Sequence, residues 1–111
     1  MMYDVVLSAP AERDLYGIFE YIAFHLQSVE NAAAQIARIE KQIAALDQMP
    51  ERYRRYEREP WFGRGVRIVP VDNYCVLYIP NHTEKTVTIL RVVYGGRDIE
   101  RTLAEFEHEA N

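Results

Sequence analysis

A chain of 111 residues with 49% apolar side chains and a net charge of −4 has room for a single domain, residues 1–111, with a core of its own. One cysteine, Cys75, leaves no internal disulfide and no multi-cysteine zinc site, and no run of about 18 apolar residues exists to cross a membrane. The acidic sum speaks against direct nucleic-acid binding, and an N-terminus with neither a basic n-region nor a long apolar stretch shows no signal peptide, so the expected location is the cytoplasm.

Tyr3 to Leu7 reads as a short strand with Tyr3, Val5 and Leu7 on one face. Ser8 and Pro10 mark a helix entry, and Ala11, Leu15, Ile18, Phe19, Ile22 and Leu26 follow at helical spacing. Ser28 caps a second helix whose stripe is Ala32, Ile36, Ile39, Ile43 and Leu46, ended by Pro50. The short link near Gln27 makes the two an antiparallel hairpin. Residues 51–64 follow neither period and hold arginines and aromatics.

Three strands come next. Val66 to Val71 carries Pro70, which implies an edge or a bulge. Asp72-Asn73 is a hairpin turn. Tyr74 to Ile79 alternates, with Tyr74, Val76 and Tyr78 against Cys75, Leu77 and Ile79. Thr86 to Val93 is apolar on both faces (Val87, Ile89 and Val93 against Leu90 and Val92), the pattern of a central strand. Gly95-Gly96 ends it at a turn with positive φ. Asp98 then caps a last helix with Ile99, Leu103 and Phe106 on one stripe. The order β-α-α-β-β-β-(α) is an α+β fold in which a helical hairpin covers one face of a mostly antiparallel sheet. The other face needs the last helix or a partner.

Charge is uneven along this order. Residues 1–50 hold seven acids and three bases, residues 51–67 hold three acids and six arginines, and residues 98–111 hold five acids and one base. The basic middle is either a solvated loop or a dock for an anionic partner. His25, His82 and His108 lie in three elements without ligand spacing, so no metal is expected, and no cofactor motif or nucleophile–base set is present. Arg91 is a charge inside a strong strand, which requires a partner such as Asp98 or an N-terminal acid.

The runs Gly65-Val66-Arg67-Ile68, Asn73-Tyr74-Cys75-Val76-Leu77-Tyr78 and Ile89-Leu90-Arg91-Val92-Val93-Tyr94-Gly95-Gly96-Arg97-Asp98 resemble the RelE/ParE toxin superfamily of type II toxin–antitoxin systems. Leu7 to Leu15 and the paired helices agree with it. The resemblance implies a toxin neutralised by a cognate antitoxin whose C-terminal segment wraps it. RelE-like members cut mRNA on the ribosome, and ParE-like, plasmid-stabilisation members poison DNA gyrase. The Tyr-Arg-x-x-Tyr pattern of the RelE branch here carries cysteine at Cys75, and no tyrosine or histidine follows Arg97 before His108. These departures imply the ParE branch and no catalytic residue. The alternatives are a ribosome-dependent mRNA endonuclease and a decayed, non-toxic member that only binds its antitoxin. The resemblance points to Arg67, Arg91, Tyr94, Arg97 and Asp98 for target recognition. For the antitoxin it points to Leu15, Phe19, Ile36 and Ile39 on the hairpin, with Arg54, Arg55 and Trp61 beside it.

Overall fold

Two serines set where the helices begin. The Ser8 hydroxyl accepts from the Ala11 N–H (3.1 Å) and the Ser28 hydroxyl from the Asn31 N–H (3.2 Å), each satisfying a donor the first turn leaves open. The computed structural model describes residues 2–95 and 99–110, without the side chains of 100 and 106–110. It runs β1 (Asp4–Leu7), α1 (Ala9–Glu20), α2 (Val29–Ala44), a short α3 (Trp61–Arg64), β2 (Arg67–Val71), β3 (Tyr74–Asn81), β4 (Thr86–Tyr94) and α4 (Ile99–Ala110).

The strands form one sheet in the order β1-β4-β3-β2, with β1 parallel to β4 and the other pairs antiparallel. β4 is central, as its two apolar faces require, and Pro70 sits in the outer strand β2, where its missing N–H costs least. Each sheet face has its own core. The hairpin side buries Ala11, Ile39, Ile43 and Leu46 against Val69, Val76, Tyr78, Val87 and Ile89. The opposite side buries Trp61, Val66, Ile68, Leu77, Leu90 and Val93, and Leu103 of α4 covers it. The last helix therefore covers that face.

Four expectations are corrected. Val92 lies in the hairpin-side core and Val93 in the other, the reverse of simple alternation. The cause is a bulge: Leu77 faces Arg91 while Tyr78 faces Ile89, so Leu90 is an extra residue that inverts the parity beyond it. Leu26 is exposed, because α1 gives way to a π-helical stretch, Tyr21–His25, whose wider turn rotates it off the stripe. The second helix ends at Ala44, before Pro50, and the Arg52 guanidinium donates to the Ala45 and Met49 carbonyls beyond it. Gly95 has no positive φ; a Cβ there would stand 3.1 Å from the Asn73 carbonyl oxygen, which its N–H contacts. Gly96, Arg97 and Asp98, and the Phe106 and His108 side chains, lie outside the described residues.

Candidate functional site at the open end of strand β4

β1 has four residues and β4 has nine, so beyond the Leu7–Ile89 pair β4 loses its neighbour on that side. Backbone groups along such an edge must find other partners. Helix α1 supplies them. The Ser8 N–H donates to the Ile89 carbonyl (3.0 Å), the Ser8 hydroxyl donates to the Leu90 carbonyl (2.9 Å), and the Asp14 carboxylate accepts from the Val92 N–H (2.9 Å).

The same carboxylate holds Arg91. Arg91 Nε donates to Asp14 Oδ2 (2.7 Å) and Nη2 to Oδ1 (2.9 Å), a bidentate pair whose side chains are only 16% and 15% exposed. Arg91 Nη1 donates to the Thr102 carbonyl (3.3 Å) and lies 3.8 Å from Glu105 of α4. The bulge makes this possible, because it places Arg91 opposite Leu77, on the α4 side of the sheet. One guanidinium thus joins α1, β4 and α4.

Past this junction opens a groove of about 1080 Å³ between the hairpin, the end of β4 and α4. Tyr21, Gln35, Arg38, Tyr74 and Tyr94 line it. Tyr74 and Tyr94 meet edge to face at 5.5 Å, and burial, then Tyr94 and Tyr21, raise the Tyr74 hydroxyl pKa. Arg38 and Gln35 both donate to Asp72 (2.7 and 2.9 Å) and hold its carboxyl below the ordinary range. Beside the groove the hairpin tip leaves Phe24, Leu26 and Val29 exposed. A tip this apolar, next to tyrosines and arginines, has the composition of a protein-docking surface.

A second surface forms the far edge of the sheet. Residues 54–56 add an outer rung to β2: the Tyr56 N–H donates to the Val66 carbonyl (2.8 Å) and the Ile68 N–H to the Arg54 carbonyl (3.1 Å), with Arg55 opposite Arg67. Arg55 stacks on Phe62 and Arg64 on Trp61 at 5.2 and 4.8 Å. Arg67 Nη1 donates to the Glu51 and Tyr53 carbonyls (3.1 and 2.7 Å). Beside this edge Cys75 is half-buried; burial pushes its thiol pKa up, and nearby Arg54 only partly offsets that.

The expected site residues therefore divide. Arg91 and Tyr94 line the groove; Arg67 stands on the other edge, with β3 between, so the arginines do not converge. Arg97 and Asp98 fall outside the described residues. Of the antitoxin candidates, Leu15, Phe19 and Ile36 are half-buried and Arg54 and Arg55 exposed. Ile39 is fully buried, and Trp61, at 7% exposure, packs on Val66, Leu77 and Leu103. Both are corrected from surface candidates to core residues, because each lies under the sheet face that its element covers. Asp14 was not anticipated. Its only sequence signal is an acid bordering the apolar stripe one residue before Leu15. A third cluster was also not visible: Tyr3 Oη lies 2.7 Å from His82 Nδ1, which lies 3.0 Å from Glu51.

A family model for the ParE toxin of type II toxin–antitoxin systems, parDE, matches residues 5–99. Among solved structures, one from a chromosomal ParDE toxin–antitoxin system of P. aeruginosa superposes with a TM-score of 0.69 at 22% identity, covering 85% of this chain and 97% of that one. A chain of the RelBE2 toxin–antitoxin complex of Mycobacterium tuberculosis gives 0.60 at 25% identity, covering 85% and 99%. An arginine double mutant of E. coli toxin RelE in its free state gives 0.64 at 12% identity, covering 98% of each. No curated protein matches the sequence.

Proposed function

The chain belongs to the ParE toxin family of type II toxin–antitoxin systems, and from that premise we propose that it acts by binding, poisoning DNA gyrase until a cognate antitoxin neutralises it. The observation that carries this reading is the state of Arg91. Cleaving RNA requires a general base, a stabiliser for phosphate charge and an acid for the leaving oxygen. The Arg91 guanidinium is held by Asp14 and a main-chain carbonyl. At Cys75, where the RelE branch carries arginine, stands a thiol that burial keeps neutral. Neither offers charge to a scissile phosphate.

The groove at the end of β4 is the recognition surface in this reading. Tyr94 and Tyr21 offer exposed aromatic faces, and Arg91 is a positioning residue that fixes the groove's floor. Arg97 and Asp98, which follow Gly95-Gly96 in the sequence, stay assigned to target recognition from the sequence. The antitoxin meets the hairpin around Phe19 and Ile36, next to the apolar tip. A partner of this kind is supported by the ParDE and RelBE2 systems that share the fold.

The test is induced expression, with purified gyrase and supercoiled DNA assayed in parallel. Growth arrest with protein-linked, cleaved DNA is the expected result, and Tyr94→Ala should reduce the trapped complexes about tenfold, the loss of roughly 1.4 kcal/mol of binding. Arrest with gyrase unaffected and ribosome-bound mRNA cut would overturn the reading. No arrest at all would leave an antitoxin-binding protein without a toxic activity.

A further inference from the structure

The open end of β4 has a main-chain polarity that its tyrosines do not use. In an antiparallel ladder the N–H and C=O groups of successive residues point to opposite sides of the strand. The Gly95 N–H meets the Asn73 carbonyl (2.6 Å), so Val93 and Gly95 serve β3 and its turn, and Val92 and Tyr94 point away from them. The Val92 N–H shows this directly, because it reaches Asp14 in α1. Up to that N–H, Ser8 and Asp14 supply side-chain partners where β1 has ended. Beyond it, the Val92 carbonyl and the Tyr94 N–H and carbonyl lie at the groove, and among the described residues none meets them.

Two further observations fix what fits there. A carbonyl and an N–H two residues apart on one edge form the clamp that holds a parallel strand: one incoming residue donates to the first and accepts from the second. β4 already holds β1 in this sense, with the Asp4 N–H on the Lys85 carbonyl (2.9 Å) and Asp4 opposite Thr86. A residue held by Val92 and Tyr94 stands opposite Val93 in the same way. The helix wall beside it also leaves room. Gly17 lies inside α1, where glycine costs helix stability, and a Cβ there would meet nothing within 4 Å. It lines the groove, so this space is open to a chain running along the edge.

We infer that the groove takes an extended segment of the target protein, which adds a short parallel strand to β4 at Val92–Tyr94. Val93 faces the α4-side core and Val92 the hairpin-side core. The side chain of the residue opposite Val93 therefore points towards α4, and those of its two neighbours towards the wall of Ile18, Tyr21 and Tyr94. The segment this fits has an apolar or aromatic side chain at both neighbouring positions. Main-chain pairing supplies the affinity and the tyrosine wall the selectivity. The inference rests on the groove being the surface that recognises gyrase, and it names the form in which gyrase is recognised.

The experiment measures binding of purified gyrase to the full chain, together with hydrogen exchange at single amides. Gyrase should slow exchange of the Tyr94 amide at least about tenfold. Tyr94→Ala removes the side chain alone. Tyr94→Pro removes the N–H as well and spares the ladder, because that N–H does not serve β3. Tyr94→Pro should therefore bind gyrase about fivefold more weakly than Tyr94→Ala, the loss of one hydrogen bond. Gly17→Leu fills the open wall without touching the core and should weaken binding at least about tenfold. Circular dichroism checks that the variants fold, and the exchange measurement needs no variant. Gyrase bound with the Tyr94 amide unprotected, or with Tyr94→Pro and Tyr94→Ala equal, would overturn the inference and leave the gyrase reading standing. No binding of gyrase would overturn both. Protection of Tyr94 in the free chain that fades on dilution would assign the edge to a second copy. Protection by a co-purified antitoxin but not by gyrase would assign it to the antitoxin, and either result overturns the inference.

Discussion

Asp14 holds the β4 edge and the Arg91 charge with one carboxylate. Such a largely buried, hydrogen-bonded pair contributes little net stability against an apolar replacement, but losing one member strands the other. Asp14→Ala should therefore cost about 3–5 kcal/mol in urea unfolding, and Asp14→Ala with Arg91→Met should recover most of it. If the double variant folds and its toxicity persists, Arg91 acts through the fold and not on the target. Tyr78 makes a second residue-scale case. Its hydroxyl donates to the Pro50 carbonyl (2.6 Å), and burial pushes its pKa up to about 12. A raised pKa favours the protonated native state, so this contribution is complete below pH about 10 and lost as pH rises towards 12. Tyr78→Phe should flatten the alkaline limb of the stability curve and lower neutral stability by about 1–3 kcal/mol, the cost of an unsatisfied buried carbonyl. Cys75, whose thiol is raised by burial, should react with iodoacetamide at least about tenfold more slowly in the native protein than in urea at pH 8.5. The sequence showed that Arg91 needed an acid and that an N-terminal one would serve. It could not name Asp14, since the pair joins residues 77 apart and only the packing of α1 on β4 brings them together.

Elements were legible wherever a period or a cap writes them. Ser8, Ser28, the Asp72-Asn73 turn and the alternation of Tyr74 to Ile79 all appear in the structure in the roles their chemistry predicts. What was not legible is a change of period inside an element. One extra residue at Leu90 exchanges the faces of Val92 and Val93, and one wide turn at Tyr21–His25 exposes Leu26. Neither leaves a mark in composition, because both are settled by what the neighbouring element needs. The two caps differ in the same way. The Ser28 hydroxyl accepts from its own helix, whereas the Ser8 hydroxyl also donates to Leu90 across the sheet. Ser8→Ala should accordingly lower stability by about 2 kcal/mol and Ser28→Ala by about 1, as chemical denaturation would read.

Across the whole molecule, the surfaces separate by chemistry and by edge. The groove joins tyrosines and apolar side chains at the open end of β4, and the arginine rim runs along the outer side of β2. The sequence showed the basic middle but not which residues face outward. Trp61 reads like a docking aromatic and is a core residue, because α3 turns it under the sheet beside Leu103. Family and fold were readable together for a related reason. The motifs that carry the resemblance are strand and turn residues, which record architecture more faithfully than they record a target.

The parallel pairing of β1 with β4 also orders events in time. Residues 4–7 leave the ribosome first, yet their partners are residues 86–89, and Ser8 and Asp14 wait for Leu90, Arg91 and Val92. Synthesis at about 5–20 residues per second separates the two ends by roughly 4–16 s. For about the second half of that interval, once Leu46 has been made, the aliphatic row from Ile39 to Leu46 exists without Val87 and Ile89 of the central strand, which complete its core. A nascent toxin is therefore at its most adhesive before it is complete, and each molecule passes through an interval in which any binder already at hand reaches it before its own last strand does.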